Sequence, residues 1–298
     1  MKSDLSKMAV IILNYCSAKD TIKLATQLLD FKSNFKLIIV DNNSKDDSFE
    51  ELNLVFKNNP LIDILETREN NGYSAGNNFG FRYAIERYNV NAVCVMNPDV
   101  EIPQLSVLEI MYQRLFSREK YGVIGGSAMG INGEYNPLAS AWNIPSNREL
   151  IKNLYSGNKR TSKPVNYHVM TDNLALVDCV VGCFFIMKVE LLLKMGYLDD
   201  SFFLYNEENV IGINCKKHGY QEVVALDQFY YHNHDFTKHR TKSFQKRISE
   251  AEICYKSRKH FCELYYSKLL KIPLFLVHVL NIAVVCISCA TSKIRKRR

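Results

Sequence analysis

Short apolar runs that stop at polar clusters, repeated with helical segments between them, restrict this chain to a layered α/β fold. Residues 10–13 and 37–40 are β-branched or aliphatic throughout, which suits parallel strands buried on both faces. They end at Asn14-Tyr15 and at Asp41-Asn42-Asn43-Ser44. Between them Ile22, Ala25, Leu28 and Leu29 recur at helical spacing, so residues 20–31 read as a helix. Strand, helix and strand in that length make a right-handed βαβ unit. Residues 62–65 and 92–96 continue the alternation around a helix from about 74 to 88. Ligands on open α/β sheets sit beyond the carboxyl ends of the strands, where these polar clusters fall.

A chain of 298 residues can hold one large domain and an appendage. Residues 1–236 read as the α/β domain and 237–298 as a basic helical tail. The tail carries 15 Lys and Arg against 3 Asp and Glu from 238 onward, a net of +12, while the body is mildly acidic at −5. Such asymmetry points to an anionic partner, and the tail's apolar content selects an anionic membrane surface over nucleic acid. Residues 272–292 are 21 uncharged positions, long enough to span a bilayer. Basic residues flank both ends, against the positive-inside tendency, so a helix lying in the membrane plane or re-entering it is expected ahead of a true span or a buried packing helix. Nine scattered cysteines, with an N-terminal apolar run too short for a signal peptide, read as reduced core thiols in the cytoplasm. Their spacing does not support zinc. Residues 130–175, rich in Asn, Ser, Gly and Pro and holding the lone Trp142, read as a long excursion from the core.

Four stretches carry residues suited to chemistry. Residues 194–208 close an aromatic and aliphatic run with adjacent carboxylates, Glu207 and Glu208; carboxylates against apolar walls gain proton affinity and suit a base. Residues 70–80 place amide or small residues at alternate positions without being a dinucleotide fingerprint. There Gly72 allows close backbone approach and stands with Asn78 near a nucleotide, while Gly76 and Gly80, one helical turn apart, allow tight helix–sheet packing. Asn97-Pro98-Asp99 is either a turn or a source of hard oxygen for Mg²⁺ or Mn²⁺. His232, in Tyr230-Tyr-His-Asn-His234, is either structural or a ligand, ahead of His234 and His239. Ser44 or Asp46 is expected to cap the helix that follows the second strand.

Gly196-Tyr-Leu-Asp-Asp-Ser-Phe-Phe-Leu-Tyr-Asn-Glu-Glu208 resembles the G-x-[FL]-D-[ED]-x-[FY]-F-x-Y-x-E-[DE] signature of family 2 glycosyltransferases, bacterial rhamnosyltransferase-like members above all. Four further matches follow the family's order: Ile11-Ile-Leu-Asn-Tyr15, Val40-Asp-Asn-Asn-Ser44, the stretch from Asn70 to Gly80, and Met96-Asn-Pro-Asp-Val100. The resemblance covers residues 8–235 and implies a GT-A fold, a mixed and mainly parallel sheet flanked by helices, here with a C-terminal membrane-associating helix. It implies inverting transfer of a sugar, rhamnose foremost, from a nucleoside diphosphate (dTDP-rhamnose or a UDP-sugar) to a hydroxyl of a lipid-linked or polysaccharide acceptor at the cytoplasmic face of the plasma membrane. Carried over position by position, Glu208 is the base beside Glu207, and Asp41 accepts from the donor's pyrimidine N3–H. Asn14, Tyr15, Asn70, Gly72, Asn78, Asn97 and Asp99 line the donor, and Asp99 holds Mg²⁺ or Mn²⁺ with His232. The sequence departs from the family at Asn97, where the first acid of an Asp-x-Asp site is expected, and at Val210 and Asn214. Two other readings are a nucleotidyltransferase, which would need a glycine-rich phosphate loop that residues 11–17 lack, and a nucleotide-sugar-binding or membrane scaffold without a base.

Overall fold

The computed structural model describes residues 4–129, 140–155, 168–233 and 243–295. They divide into two compact units: Met1–Ile144, Val165–Ser201 and Glu207–Asn233 form the first, and Pro145–Pro164, Phe202–Asn206 and His234–Arg298 the second.

The first unit is built on a sheet whose opening block is parallel. β1 (Met8–Asn14), β2 (Lys36–Asp41), β3 (Ile62–Glu66) and β4 (Ala92–Met96) lie in the order β3-β2-β1-β4. The helices α1 (Ala18–Asp30), α2 (Ser48–Phe56) and α3 (Tyr73–Tyr88) supply the crossovers. Two strands, β2 and β3, grow away from β1 on one side and β4 lies on the other, so the strand order switches between β1 and β4 and the ligand crevice falls at their carboxyl ends. Past β4 the sheet continues through β11 (Phe184–Lys188), β6 (Tyr121–Met129), β12 (Gln221–His232), β9 (Leu174–Val177) and β8 (His168–Val169). β11 is antiparallel to both neighbours, and β12 returns parallel to β6. The two-residue strand β5 (Val100–Glu101) pairs with the end of β12, Val100 opposite His232. That pairing brings the Asn97–Asp99 turn to the carboxyl end of a strand more than a hundred residues later.

Strand residues alternate between two helical layers, the period-two rule of a pleated strand. Val10, Ile12, Leu37, Ile39 and Cys94 join one core cluster with α1, α2 and α4 (Ser106–Phe116). Ala9, Ile11, Ile38, Val40, Val93 and Val95 join the other with α3, α6 (Val189–Met195) and α7 (Glu207–Lys217). The apolar run of residues 177–188 is broken at Gly182 into β10 (Cys179–Val180), which pairs with β7 (Ala141–Trp142), and β11. The expected cap is also corrected: α2 starts at Ser48 after Asp47. Asp46 Oδ1 accepts from the Ser48 N–H, while Ser44 is spent on Asp41.

The second unit extends the expected tail by recruiting α5 (Asn147–Tyr155) and residues 202–206. Its frame is α8 (Phe244–Tyr265), capped by Ser243 accepting from the Lys246 N–H, followed by α9 (Lys271–Arg295). One side of α9 is packed: Leu274, His278 and Val285 are buried, His278 stacks on Tyr255 at 4.2 Å, and its Nε2 lies 3.0 Å from Glu252 Oε1. The other side presents Ile272, Phe275, Leu276, Val279, Leu280, Val284 and Ile287, each at least 47% exposed.

The sequence's two helical glycines do hold α3 against the sheet. A Cβ at Gly76 would meet Leu13 Cδ1 at 2.5 Å, and one at Gly80 would meet Ile11 Cγ2 at 2.8 Å and Val40 Cγ2 at 3.0 Å. Leu13 can swing its far end, whereas Ile11 and Val40 are β-branched, buried and stiff at χ1. Gly80→Ala therefore sets a helix-propensity gain of about 1 kcal/mol against an overpacking cost of about 1–3 kcal/mol. A net loss of stability is expected, read as a lower urea midpoint at unchanged m-value.

Candidate active site

At the ends of β1 and β2 the polar groups are tied to one another before any ligand arrives. Asp41 is 0% exposed; its Oδ2 accepts from Asn14 Nδ2 at 2.6 Å and Ser44 Oγ at 2.7 Å, and its Oδ1 from the Ser44 N–H at 2.9 Å. An ionised carboxylate has about four acceptor directions, so one on Oδ1 remains. Asn14 is 0% exposed; its Nδ2 also reaches Ser44 Oγ at 3.3 Å, and its Oδ1 takes the Thr21 hydroxyl at 2.7 Å. In this arrangement Asn14 orients Asp41. Asn42 Nδ2 donates to Asn70 Oδ1 at 3.0 Å and to the Gly72 carbonyl at 3.2 Å, and Asn70 Oδ1 also takes the Gly72 N–H. Gly72 turns the chain into α3 at φ 95°, a conformation other residues reach only with strain. Asn78 is 1% exposed and exchanges two hydrogen bonds with the Leu198 backbone, at 2.8 and 3.0 Å, fastening the segment after α6 to α3. Tyr15 is 48% exposed at the strand end.

Asp99 and His232 are brought together by the β5–β12 pairing. His232 Nε2 stands 3.4 Å from Asp99 Oδ1, both side chains more than a quarter exposed. Burial opposes a charge on the imidazole, but hydrogen bonds to Asp99 and Cys183 win and carry His232 up to about 10. A hard oxygen and an imidazole suit Mg²⁺ or Mn²⁺, and two ligands at right angles on one such ion would stand about 3 Å apart, close to the separation seen. With the Nε2 proton of His232 displaced by an incoming ion, His232 and Asp99 would fit a divalent cation completed by further oxygens. Among the described residues no cluster of three or more acidic, His or Cys side chains supplies a full shell. His234 and His239 lie outside the described residues.

Glu207 and Glu208 open α7, where unpaired N–H groups and the helix dipole favour acidic side chains. Glu207 is buried at 6%, while Glu208 is half-buried and its Oε1 accepts from the Gly182 N–H at 3.2 Å. The Tyr73 hydroxyl donates to the Gly182 carbonyl at 2.5 Å. Burial, with the charges of Glu208 and Glu207 adding, pushes that phenol well above its usual range, so it is a proton donor. One residue on, the Cys183 carbonyl accepts from the Asn97 N–H at 2.8 Å. Val210 is 2% exposed, so an acid there would need a buried partner; this departure is one of core packing.

Sequence reasoning missed Tyr73, Gly182, Glu222 and the Trp142–Asn209 contact. Trp142 Nε1 donates to Asn209 Oδ1 at 2.9 Å, a support for the first turn of α7 that only the isolated tryptophan hinted at. Glu222 is 2% exposed in β12; its Oε2 takes the Val180 N–H at 2.8 Å, and its Oε1 has no partner among the described residues. Burial pushes its carboxyl well above the usual range; the Val180 bond opposes this, and the charges of Asp178 and Glu208 add to it. A raised acid pKa means the folded state holds a proton that the unfolded chain releases above roughly pH 4.3, so this residue costs stability progressively as pH rises from there. Glu222→Gln should flatten that decline, seen as thermal midpoints of the two proteins that diverge between pH 5 and pH 9.

A parallel block with an acceptor-only carboxylate at its switch point, an Asp–His pair beside it and a carboxylate-headed helix define the GT-A class of fold. The family model described as Glycosyl transferase family 2 matches residues 9–194, and the chain belongs to that family. The match ends before Glu207. Over 204 residues the chain is 28% identical to the low-salt glycan biosynthesis hexosyltransferase Agl10 of Haloferax volcanii, covering 68% of this chain and 60% of that protein's length. Among solved structures, the mannosyltransferase PcManGT of Pyrobaculum calidifontis, in complex with GDP-Man and Mn²⁺, aligns over 96% of this chain and 75% of its own, with a TM-score of 0.58 at 14% identity. GalNAc-T7, with UDP, GalNAc and Mn²⁺, aligns over 76% and 43%, with a TM-score of 0.57 at 12% identity. These two likenesses are of fold.

Proposed function

We propose that the chain is an inverting glycosyltransferase that moves a sugar from a nucleoside-diphosphate donor to an acceptor hydroxyl. One observation carries the reading: consecutive residues at the β10–β11 break, Gly182 and Cys183, bond to Glu208 and to the Asn97 turn, so the candidate base and the Asp99–His232 pair share one support. Glu208 takes the acceptor proton as that oxygen attacks C1; the bond from C1 to the diphosphate oxygen breaks, and one displacement inverts C1. Asp41 keeps one acceptor direction for a base N–H, and Asn97 would hydrogen-bond the ribose. Tyr15, Asn70 and Gly72 border the same crevice. Asp99 and His232 would hold Mg²⁺ or Mn²⁺ together with the donor phosphates. That ion, when bound, supplies charge neutralisation for the departing diphosphate. Nucleotide and Mn²⁺ in the two solved structures, and a hexosyltransferase of glycan biosynthesis among the relatives, support this assignment. Rhamnose from dTDP-rhamnose is the first donor to test, with UDP-sugars and GDP-mannose as rivals.

Paired variants test the division of labour. Glu208→Gln should bind donor normally and lose about 100-fold or more in turnover. Asp99→Ala should weaken Mn²⁺-dependent donor binding in a thermal-shift assay. Full activity in excess EDTA, or an active Glu208→Gln beside a dead Glu207→Gln, would reject these roles.

The acceptor side of the proposal is a lipid-linked glycan at the cytoplasmic face of the membrane, with α9 lying in the plane of an anionic leaflet. A helix sealed on one side by the His278–Tyr255–Glu252 contacts has its opposite, apolar side for lipid, and a full crossing would carry those polar groups into hydrocarbon. Deleting the helix would strip α8 of its cover, so surface variants are the better test. Leu276→Glu with Leu280→Glu, both more than half exposed, should abolish flotation with phosphatidylglycerol vesicles at an unchanged thermal midpoint. Unaltered flotation would reject the membrane role.

A further inference from the structure

If Glu208 is the base, a side chain with three rotatable bonds must still be held to one working rotamer, and the structure contains a device for it. A Cβ built at Gly182 would stand 2.9 Å from Glu208 Oε1 and 3.3 Å from both its Cδ and its Cγ. The carboxylate thus lies directly over the bare Cα. The glycine is not required by its backbone, because the positive-φ glycines are Gly72, Gly196 and Gly219. What position 182 needs is space, and Glu208 fills it.

The same residue bonds what it accommodates. Its N–H holds Oε1, and no other hydrogen bond to Glu208 occurs among the described residues, which leaves Oε2 as the free oxygen. The Gly182 carbonyl is in turn fastened by Tyr73 from α3, and the next carbonyl by Asn97 from the end of β4. The segment is clamped from both sides and the carboxylate is clamped to it.

We propose that Gly182, anchored by the Tyr73 hydroxyl, is the positioning residue of the base: it fixes Oε1 and presents Oε2 to the acceptor hydroxyl. The proposal rests on the reading of Glu208 as base. It assigns Tyr73 and Gly182 a larger effect on turnover than on donor affinity, since Gly182 bonds Glu208 itself and only its neighbour Cys183 reaches the Asn97 turn.

A size exchange in the full-length protein tests it, with dTDP-rhamnose, UDP-glucose and GDP-mannose as donors and release of the nucleoside diphosphate as readout. Gly182→Ala should lower kcat by roughly tenfold or more while the affinity for the matching nucleoside diphosphate with Mn²⁺ stays within about twofold. Glu208→Asp should lower kcat in the parent but raise it in the Gly182→Ala background, because the shorter acid vacates the space the new methyl group takes. Tyr73→Phe should lower kcat with KM unchanged. Normal kcat in Gly182→Ala overturns the proposal. So does a parallel loss of donor affinity and kcat that Glu208→Asp does not reverse, which would mark a folding role. Glu208→Gln run alongside separates the two failures: an active Glu208→Gln removes the base itself, while a dead one beside a fully active Gly182→Ala removes only the positioning.

Discussion

Everything in the first unit follows from strands that are buried on both faces. A strand with Val10 and Ile12 toward one helical layer and Ala9 and Ile11 toward the other has no face on which a polar side chain could meet water. Helices must cover both sides, crossovers must be right-handed, and polar residues are driven to the strand ends. Asn14, Asp41 and Asn97 stand where they do because the sheet interior excludes them. The site is a consequence of the core.

At those ends the problem becomes one of holding charge near a low-dielectric interior. The structure meets it in three ways. Asp41 is fully buried with three donors on its carboxylate. Asp99 has His232 within 3.4 Å. Glu222, with a single donor, has its proton affinity raised by burial instead. Glu208 differs from all three in being half-buried with one oxygen held by a backbone N–H.

The second unit reads by different rules. Two consecutive non-glycine residues with left-handed backbone, Tyr205 (φ 74°) and Asn206 (φ 70°), are secured by Ser257 of α8, which donates to the Tyr205 carbonyl at 2.6 Å and accepts from Asn206 Nδ2 at 2.7 Å. Strain of this kind persists only where surrounding bonds over-determine it. On α9, Leu274, His278 and Val285 follow helical spacing inward, while the outward positions are equally apolar. An amphipathic pattern is therefore absent even though only one side is packed.

The sequence by itself determined the strand–helix alternation, the polar strand ends, the packing role of Gly76 and Gly80 and the family, because each depends on local periodicity or on short ordered motifs. It could not separate groups that face a ligand from groups that serve one another. Asn14 and Asn78 carry the same amide as Asn70, and only the fold decides that Asn14 is consumed by Asp41 and Asn78 by Leu198. Nor could it see that Gly182 lies beneath Glu208, or that the buried Glu222 takes the Val180 N–H, since those contacts join residues 26 to 42 positions apart. The pairing of Asp99 with His232 depends on a two-residue strand too short to leave a periodic signal. Local chemistry chose the residue types; the close approach of distant segments, set by packing on both faces of the sheet, decided which of them meet.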